Sequence, residues 1–314
     1  MDLDQAQRAV LNVLAQVSAD VLPRVIQWMR HSSEIEDLLR SNADVLLNCI
    51  ADDLRSILPL EAMVGSENQV IDIIQSLQRP TLHVDAFLYD DDTVDALCEE
   101  GKMSRNYCMS CGSRKTAPLG EPYTKHISRF PPDFISHSFS LVELKFLFQK
   151  MLPDLSGKTL VDVGSRLGAV LYAGCVYSSA SKLQGVEINA EFCQLQEKII
   201  KKYDFTARIQ VYHSDICCQP SLLHYADVVV LHNVFEYFLD KEKQIKAWTI
   251  VMENVRKTGS LVVAVPSLEE SLDKLQMNIQ LDKWVEKVKL NPDIYTGSET
   301  DEETIRQIHL YRVL

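Results

Sequence analysis

The stretch Thr159-Leu-Val-Asp-Val-Gly-Ser-Arg-Leu-Gly168 constrains this chain more than any other feature. An apolar run ends at Gly164, turns, and passes Gly168 into Ala169-Val-Leu-Tyr-Ala-Gly-Cys-Val, a segment rich in small residues. Glycine opens backbone conformations that side chains resist, and small residues let a helix lie close to a sheet. The pattern is strand, tight turn, helix. Short apolar runs then alternate with helical stretches: Lys182–Ile188, a helix Ala190–Tyr203, Arg208–His213, Ala226–Leu231, a helix Lys241–Arg256, and Leu261–Val265. Such alternation predicts a parallel sheet with helices on its faces. Trp284–Leu290 and Gln307–Val313 read as two further strands.

Upstream, Leu3, Ala6, Val10, Val13, Leu14, Val17 and Val21 recur at helical spacing. Pro23 interrupts, and Val25, Ile26 and Met29 continue as a short helix. Ser33 with Glu36 forms a capping-box pattern, and helical segments follow near Ala43–Ile57 and Asn68–Leu77. The expected organisation is a helical bundle over 1–80, an irregular linking segment with a pre-domain helix over 81–157, and an α/β domain over 158–314. In the linking segment, Asp90–Asp92 reads as a solvated turn and Pro118, Pro122, Pro131 and Pro132 mark extended connections. Helical periodicity resumes at Leu141 and stops near Pro153.

Two acids stand at strand ends. Glu187 closes the second strand of the series, 25 positions after Asp162, the spacing at which a doubly wound fold sets a carboxylate on a ribose. Asp215 and Ile216 follow the third strand, and His232, Asn233, Glu236 and Tyr237 follow the fourth. A dinucleotide enzyme would share the ribose acid, but its pyrophosphate loop needs Gly-x-Gly-x-x-Gly, and this chain reads Gly164-Ser-Arg-Leu-Gly168.

The whole series over 158–314 resembles the class I S-adenosylmethionine (SAM)-dependent methyltransferases. The resemblance implies a Rossmann-like seven-stranded sheet behind an N-terminal helical region, with SAM as cofactor. It implies that Asp162, Gly164, Ser165, Arg166 and Gly168 form the loop around the methionine moiety. Glu187 would hold the ribose, Asp215 and Ile216 would border the adenine, and Asn233 would face the transferred methyl group, with Glu236 beside it as a catalytic candidate. Arg166 stands where the family usually has its middle glycine. A positive φ there costs an arginine about 1–2 kcal/mol. Its guanidinium would pair with the SAM carboxylate or a nearby acid, or else Arg166 is a solvent-facing side chain on a slightly altered loop.

Asp162-Val-Gly-Ser165, Gly185-Val-Glu187 and Leu231-His-Asn233 are also similar to motifs of Dot1-type histone lysine methyltransferases. That similarity implies a protein substrate. Small-molecule or nucleic-acid methylation, and a SAM-binding but catalytically silent scaffold, are the alternatives. The segment after strand four lacks the paired prolines of the adenine-N6 and glutamine enzymes.

A net charge of −12 argues against a broad grip on phosphate backbones, which makes nucleic acid an unlikely partner. With 46% hydrophobic and 24% charged residues, no run of about 18 apolar residues and no signal-peptide pattern, the sequence predicts a cytoplasmic or nuclear protein without membrane association. The eight cysteines then read as reduced thiols. Cys108 and Cys111 make a Cys-x-x-Cys, half of a zinc knuckle for which Cys98, His126 or His137 could complete the ligands. With no second Cys-x-x-Cys, the pair reads as two buried thiols at a turn and no metal is expected. Phe134–Ser140 is a segment that could fold over the cofactor through His137 and Phe139, or cap the following helix. Cys217 and Cys218 read as small apolar lining beside the adenine position.

Overall fold

The computed structural model describes residues 3–58, 82–89, 96, 99–100, 134–136, 138–236, 238–277, 279–291 and 305–314. The expected helix at Asn68–Leu77, the turn at Asp90–Asp92, the four marked prolines, Cys98, Cys108, Cys111, His126, His137 and Tyr237 lie outside them. The chain divides into a unit Met1–Leu46 and a larger unit Leu47–Leu314.

The first unit holds helix α1 (Leu3–Leu14), helix α2 (Leu22–His31) and the start of α3 (Ser33–Ile57). Pro23 sits in the first turn of α2, where its missing N–H leaves no hydrogen bond unmade. The two helical segments read between Ser33 and Ile57 are one continuous helix.

In the larger unit the stretch read as irregular contains a short parallel pair, β1 (Leu82–Val84) with β2 (Phe134–Ser136). Helix α4 (Leu141–Phe146) follows and runs on as a π-turn to Met151. Ser140 opens α4 with a capping box: its hydroxyl accepts from the Glu143 amide, and the Glu143 carboxylate accepts from the Ser140 amide at 2.7 Å.

The main sheet is built from β3 (Thr159–Val163), β4 (Lys182–Glu187), β5 (Ile209–His213), β6 (Val228–His232), β7 (Leu261–Val265), β8 (Val285–Lys287) and β9 (His309–Val313). Its order is β5-β4-β3-β6-β7-β9-β8, with β9 antiparallel to both of its neighbours and the other pairs parallel. The intervening helices are α5 (Ala169–Tyr177), α6 (Ala190–Lys202), α7 (Pro220–Tyr225), α8 (Lys241–Asn254) and α9 (Leu268–Leu275). The strand expected over Trp284–Leu290 keeps only three residues, and its charged Glu286 and Lys287 are exposed, as befits a sheet edge.

Both faces are buried, which is why the central strands read as unbroken apolar runs rather than alternating ones. Val161, Val163, Val229, Leu231, Val262 and Ala264 join Trp248, Phe235 and Tyr311 in one cluster. On α5, Gly174 lies so close to the sheet that a Cβ would come within 2.7 Å of Leu183. Arg208 closes the C-terminal end of that helix, donating to the Cys175 and Ser178 carbonyls at 2.6 and 2.7 Å and to the Ala180 carbonyl at 2.8 Å. Among the described residues no helix is long and apolar enough to cross a membrane.

Candidate functional site

The strand order reverses beside β3: β4 and β5 extend on one side, and β6 starts the other. The carboxyl ends of the strands at such a switch point form a crevice, the usual ligand position in open α/β sheets. Four sequence-marked segments converge there, after β3, β4, β5 and β6.

The loop after β3 is held by its own backbone. The Gly164 and Ser165 amides donate to the Val186 carbonyl at 2.8 and 3.2 Å, and the Gly168 amide closes a turn onto Ser165 at 2.6 Å. Gly164 and Gly168 both have positive φ, 73° and 86°. A Cβ on Gly164 would lie 2.7 Å from Val234, and one on Gly168 equally close to the Tyr172 ring. This is a cradle that only glycine keeps open.

Arg166 takes the left-handed conformation at φ 42°. Its amide donates to the Glu187 carboxylate at 2.8 Å, and its carbonyl accepts from the Gln196 side chain at 2.7 Å. Gln196, fully buried, also accepts from the Ser165 hydroxyl at 3.1 Å. The guanidinium is buried, lies over the Phe192 ring at 4.9 Å and pairs with the carboxylate of Asp85. Asp85 in turn accepts from the Phe87 and Leu88 amides at 3.1 Å each and from the Ser138 hydroxyl at 2.8 Å. Of the readings the sequence offered for Arg166, a nearby acid is met by Asp85, and the solvent-facing one is overturned by the burial of the side chain. Asp85 and Gln196 escaped the sequence reading because each is remote from Arg166 in the chain, whereas Ser138 lies in the Phe134–Ser140 segment that this reading marked. A buried arginine demands a carboxylate, and that is the one signal that could have prompted a search for Asp85.

Glu187 ends β4 with its carboxylate buried; besides Arg166 it accepts from the Asn189 amide at 2.8 Å. Asp162 lies one strand over, also buried. Burial first, and the charge of Glu187 second, raise its carboxyl to about 8. Asp162 therefore keeps its proton at neutral pH.

Asp215 is exposed and caps the turn Ile216–Cys218 by accepting from the Cys217 amide at 2.8 Å. Ile216 is buried behind it. Cys217 is half-buried rather than a full part of the lining, with its thiol pushed up to about 11 by burial first, and Cys218 is exposed.

After β6, Asn233 adopts φ 49°, a conformation asparagine tolerates, and its amide donates to the Val265 carbonyl at 2.7 Å. His232 sits against Phe139, ring centroids 4.0 Å apart, and burial lowers its imidazole to about 3. It is therefore neutral across the physiological range. Glu236 accepts from the Ser271 hydroxyl on α9 at 2.7 Å and from the Phe235 amide at 3.2 Å. Among the described residues no cluster of metal-ligating side chains forms.

No protein-family model and no curated protein matches this chain. Solved structures do match, over about half of it. One is that of PH0851, at 13% identity and a TM-score of 0.39, covering 55% of this chain and 45% of its own. An RNA methyltransferase from Salinibacter ruber, in complex with S-adenosyl-L-homocysteine, shows 16% identity and a TM-score of 0.34, covering 55% and 88%. The C-terminal domain of precorrin-6Y C5,15-methyltransferase from Rhodobacter capsulatus shows 16% identity and a TM-score of 0.33, covering 54% and 86%. The chain thus spans just under half the length of PH0851.

The order of the seven strands, with β9 reversed between β7 and β8, is the class I methyltransferase arrangement expected from the sequence. The fold is that of the SAM-dependent methyltransferases. The expectation of a protein substrate is corrected: one of these neighbours is named for RNA, another for precorrin-6Y, and none of the three for a protein acceptor. The expectation that nucleic acid is an unlikely partner is corrected with it, one neighbour being named an RNA methyltransferase, and the Dot1-type likeness stays at three short motifs.

Proposed function

We propose that residues 158–314 bind SAM and transfer its methyl group to an acceptor of the RNA or small-molecule class. One observation carries the reading: the buried carboxyls of Asp162 and Glu187 stand at the ends of adjacent strands beside a glycine cradle at the switch point. That donor set fits the cofactor. Paired acids suit an ammonium and ribose hydroxyls, and the cradle admits a close backbone approach. Arg166 does not spoil the fit, because its backbone keeps the left-handed turn and its guanidinium is engaged by Asp85.

In this reading Glu187 accepts from the ribose hydroxyls, Asp162 faces the ammonium, and Asp215 with Ile216 borders the adenine. Asn233 lines the reacting centre. Bound SAM supplies a sulfonium methyl for in-line displacement, so the protein's task is chiefly orientation and exclusion of water. A neutral His232 beside Asn233 adds no competing positive charge near that centre. Glu236, engaged by Ser271, holds the segment after β6 to α9 and so positions Asn233 rather than moving a proton.

Isothermal calorimetry with SAM and S-adenosylhomocysteine tests the cofactor site. Micromolar binding that disappears in Glu187→Ala is expected, and unchanged binding in that variant overturns the assignment. Labelled SAM with cell extract, with and without ribonuclease, then separates the two acceptor classes. Label transfer to neither, by a protein that binds SAM, would leave the silent scaffold as the better reading.

A further inference from the structure

We propose that Asp85 is a positioning residue for the cofactor loop, making the affinity for SAM conditional on the docking of a segment that lies outside the sheet. The inference rests on the SAM-binding reading above. Arg166 occupies a left-handed turn at the place where the loop touches Glu187, and its side chain is 7% exposed. A residue of that size is kept there only if its charge is met. The partner that meets it, fully buried, lies 81 positions earlier in the chain.

Asp85 is itself fixed from two directions. The Phe87 and Leu88 amides hold one carboxylate oxygen and the Ser138 hydroxyl holds the other. Phe139, the next residue, stacks on His232 at the end of β6. Residues 85–88 and 138–139 thus reach the site at both the glycine loop and the segment after β6. Glycine at position 166 would need no such support. Here the loop geometry depends on the pair, and by reciprocity bound SAM should stabilise the docked segment.

Three variants of the full chain test this: Asp85→Asn, Arg166→Gly, and both together, each checked for folding by thermal melt and titrated with SAM. Each single change leaves one buried charge without the opposite charge that balances it, while the double change removes both charges and leaves a loop that glycine can form unaided. Single variants should bind SAM about tenfold more weakly, and the double variant should recover to within about threefold of the original. Losses that simply add in the double variant overturn the proposal, as does undiminished binding by a folded Asp85→Asn protein. Should the single variants fail to fold, hydrogen exchange on the unaltered protein gives the answer. SAM should slow exchange at the Phe87 and Leu88 amides as well as in the 164–168 loop, and slowing confined to the loop counts against the coupling. If the unaltered protein does not bind SAM, the proposed function fails first. The pair is then read from loop exchange in ligand-free Asp85→Asn, where acceleration at Gly164–Arg166 supports it and no change overturns it.

Discussion

The carboxylate of Glu187 accepts the backbone amide of Arg166 at 2.8 Å, tying the end of β4 to the loop after β3. The same carboxylate accepts the Asn189 amide through its other oxygen. One side chain therefore shapes both the loop and the start of α6 before any ligand arrives.

Glu187→Gln exposes that double duty. A carboxamide has one oxygen to serve two amides, and its NH2 would face a second donor. The expected loss is about 1–3 kcal/mol of stability, together with weaker SAM binding, because one buried N–H is left unmatched. Urea unfolding measures the first and calorimetry the second; a variant as stable as the original would contradict the arrangement.

The Asp162–Glu187 pair predicts a pH dependence. With its carboxyl at about 8 in the native state and about 3.9 unfolded, Asp162 keeps a proton that the unfolded chain has lost in between. Native protein binds more protons there, so stability falls as pH rises from about 4 to about 8, by at most about 1.4 kcal/mol per unit. Asp162→Asn should flatten the upper part of that slope. A bound ammonium would favour the carboxylate, so SAM affinity should rise with pH across neutrality with release of protons. Calorimetry in buffers of different ionisation enthalpy reads this directly.

His232 works in the opposite sense. Its imidazole, held near 3 in the fold, takes up a proton near 6.5 only when unfolded, so acidification between those values destabilises the protein. Its NMR signals should show no titration between pH 5 and 8. A transition near pH 6.5 would show that the Phe139 stack does not shield it.

Tyr172 carries a buried hydroxyl with no hydrogen-bond partner among the described residues, next to Gly168. Tyr172→Phe removes an unmatched polar group at little cost in shape, and a gain of about 1 kcal/mol in unfolding free energy is expected. A loss of that size would mean that the hydroxyl is solvated in solution.

Most of the α/β domain was legible in the sequence because its signals are local. A doubly covered strand such as Val228–His232 is apolar up to its last residue, and Gly164 and Gly168 sit where the backbone demands them. Asn189 and Asp240 cap their helices within three residues of the amides they accept. What was not legible depends on distance along the chain. Nothing near Arg166 announces that its carboxylate comes from Asp85, or that Gln196 will hold its carbonyl. The Ser33–Ile57 helix was read in pieces, as a start capped at Ser33 and a segment near Ala43–Ile57, although the backbone runs through both as one helix.

The placement of β9 between β7 and β8 has a consequence for the order of assembly. Among the described residues β8 pairs only with β9, so it precedes its strand partner in the chain and must wait for it. Ending the chain just short of His309 would strand β8 as well, costing two strands for the removal of one. Such a truncation should leave β7 as a bare edge, ready to pair with another molecule.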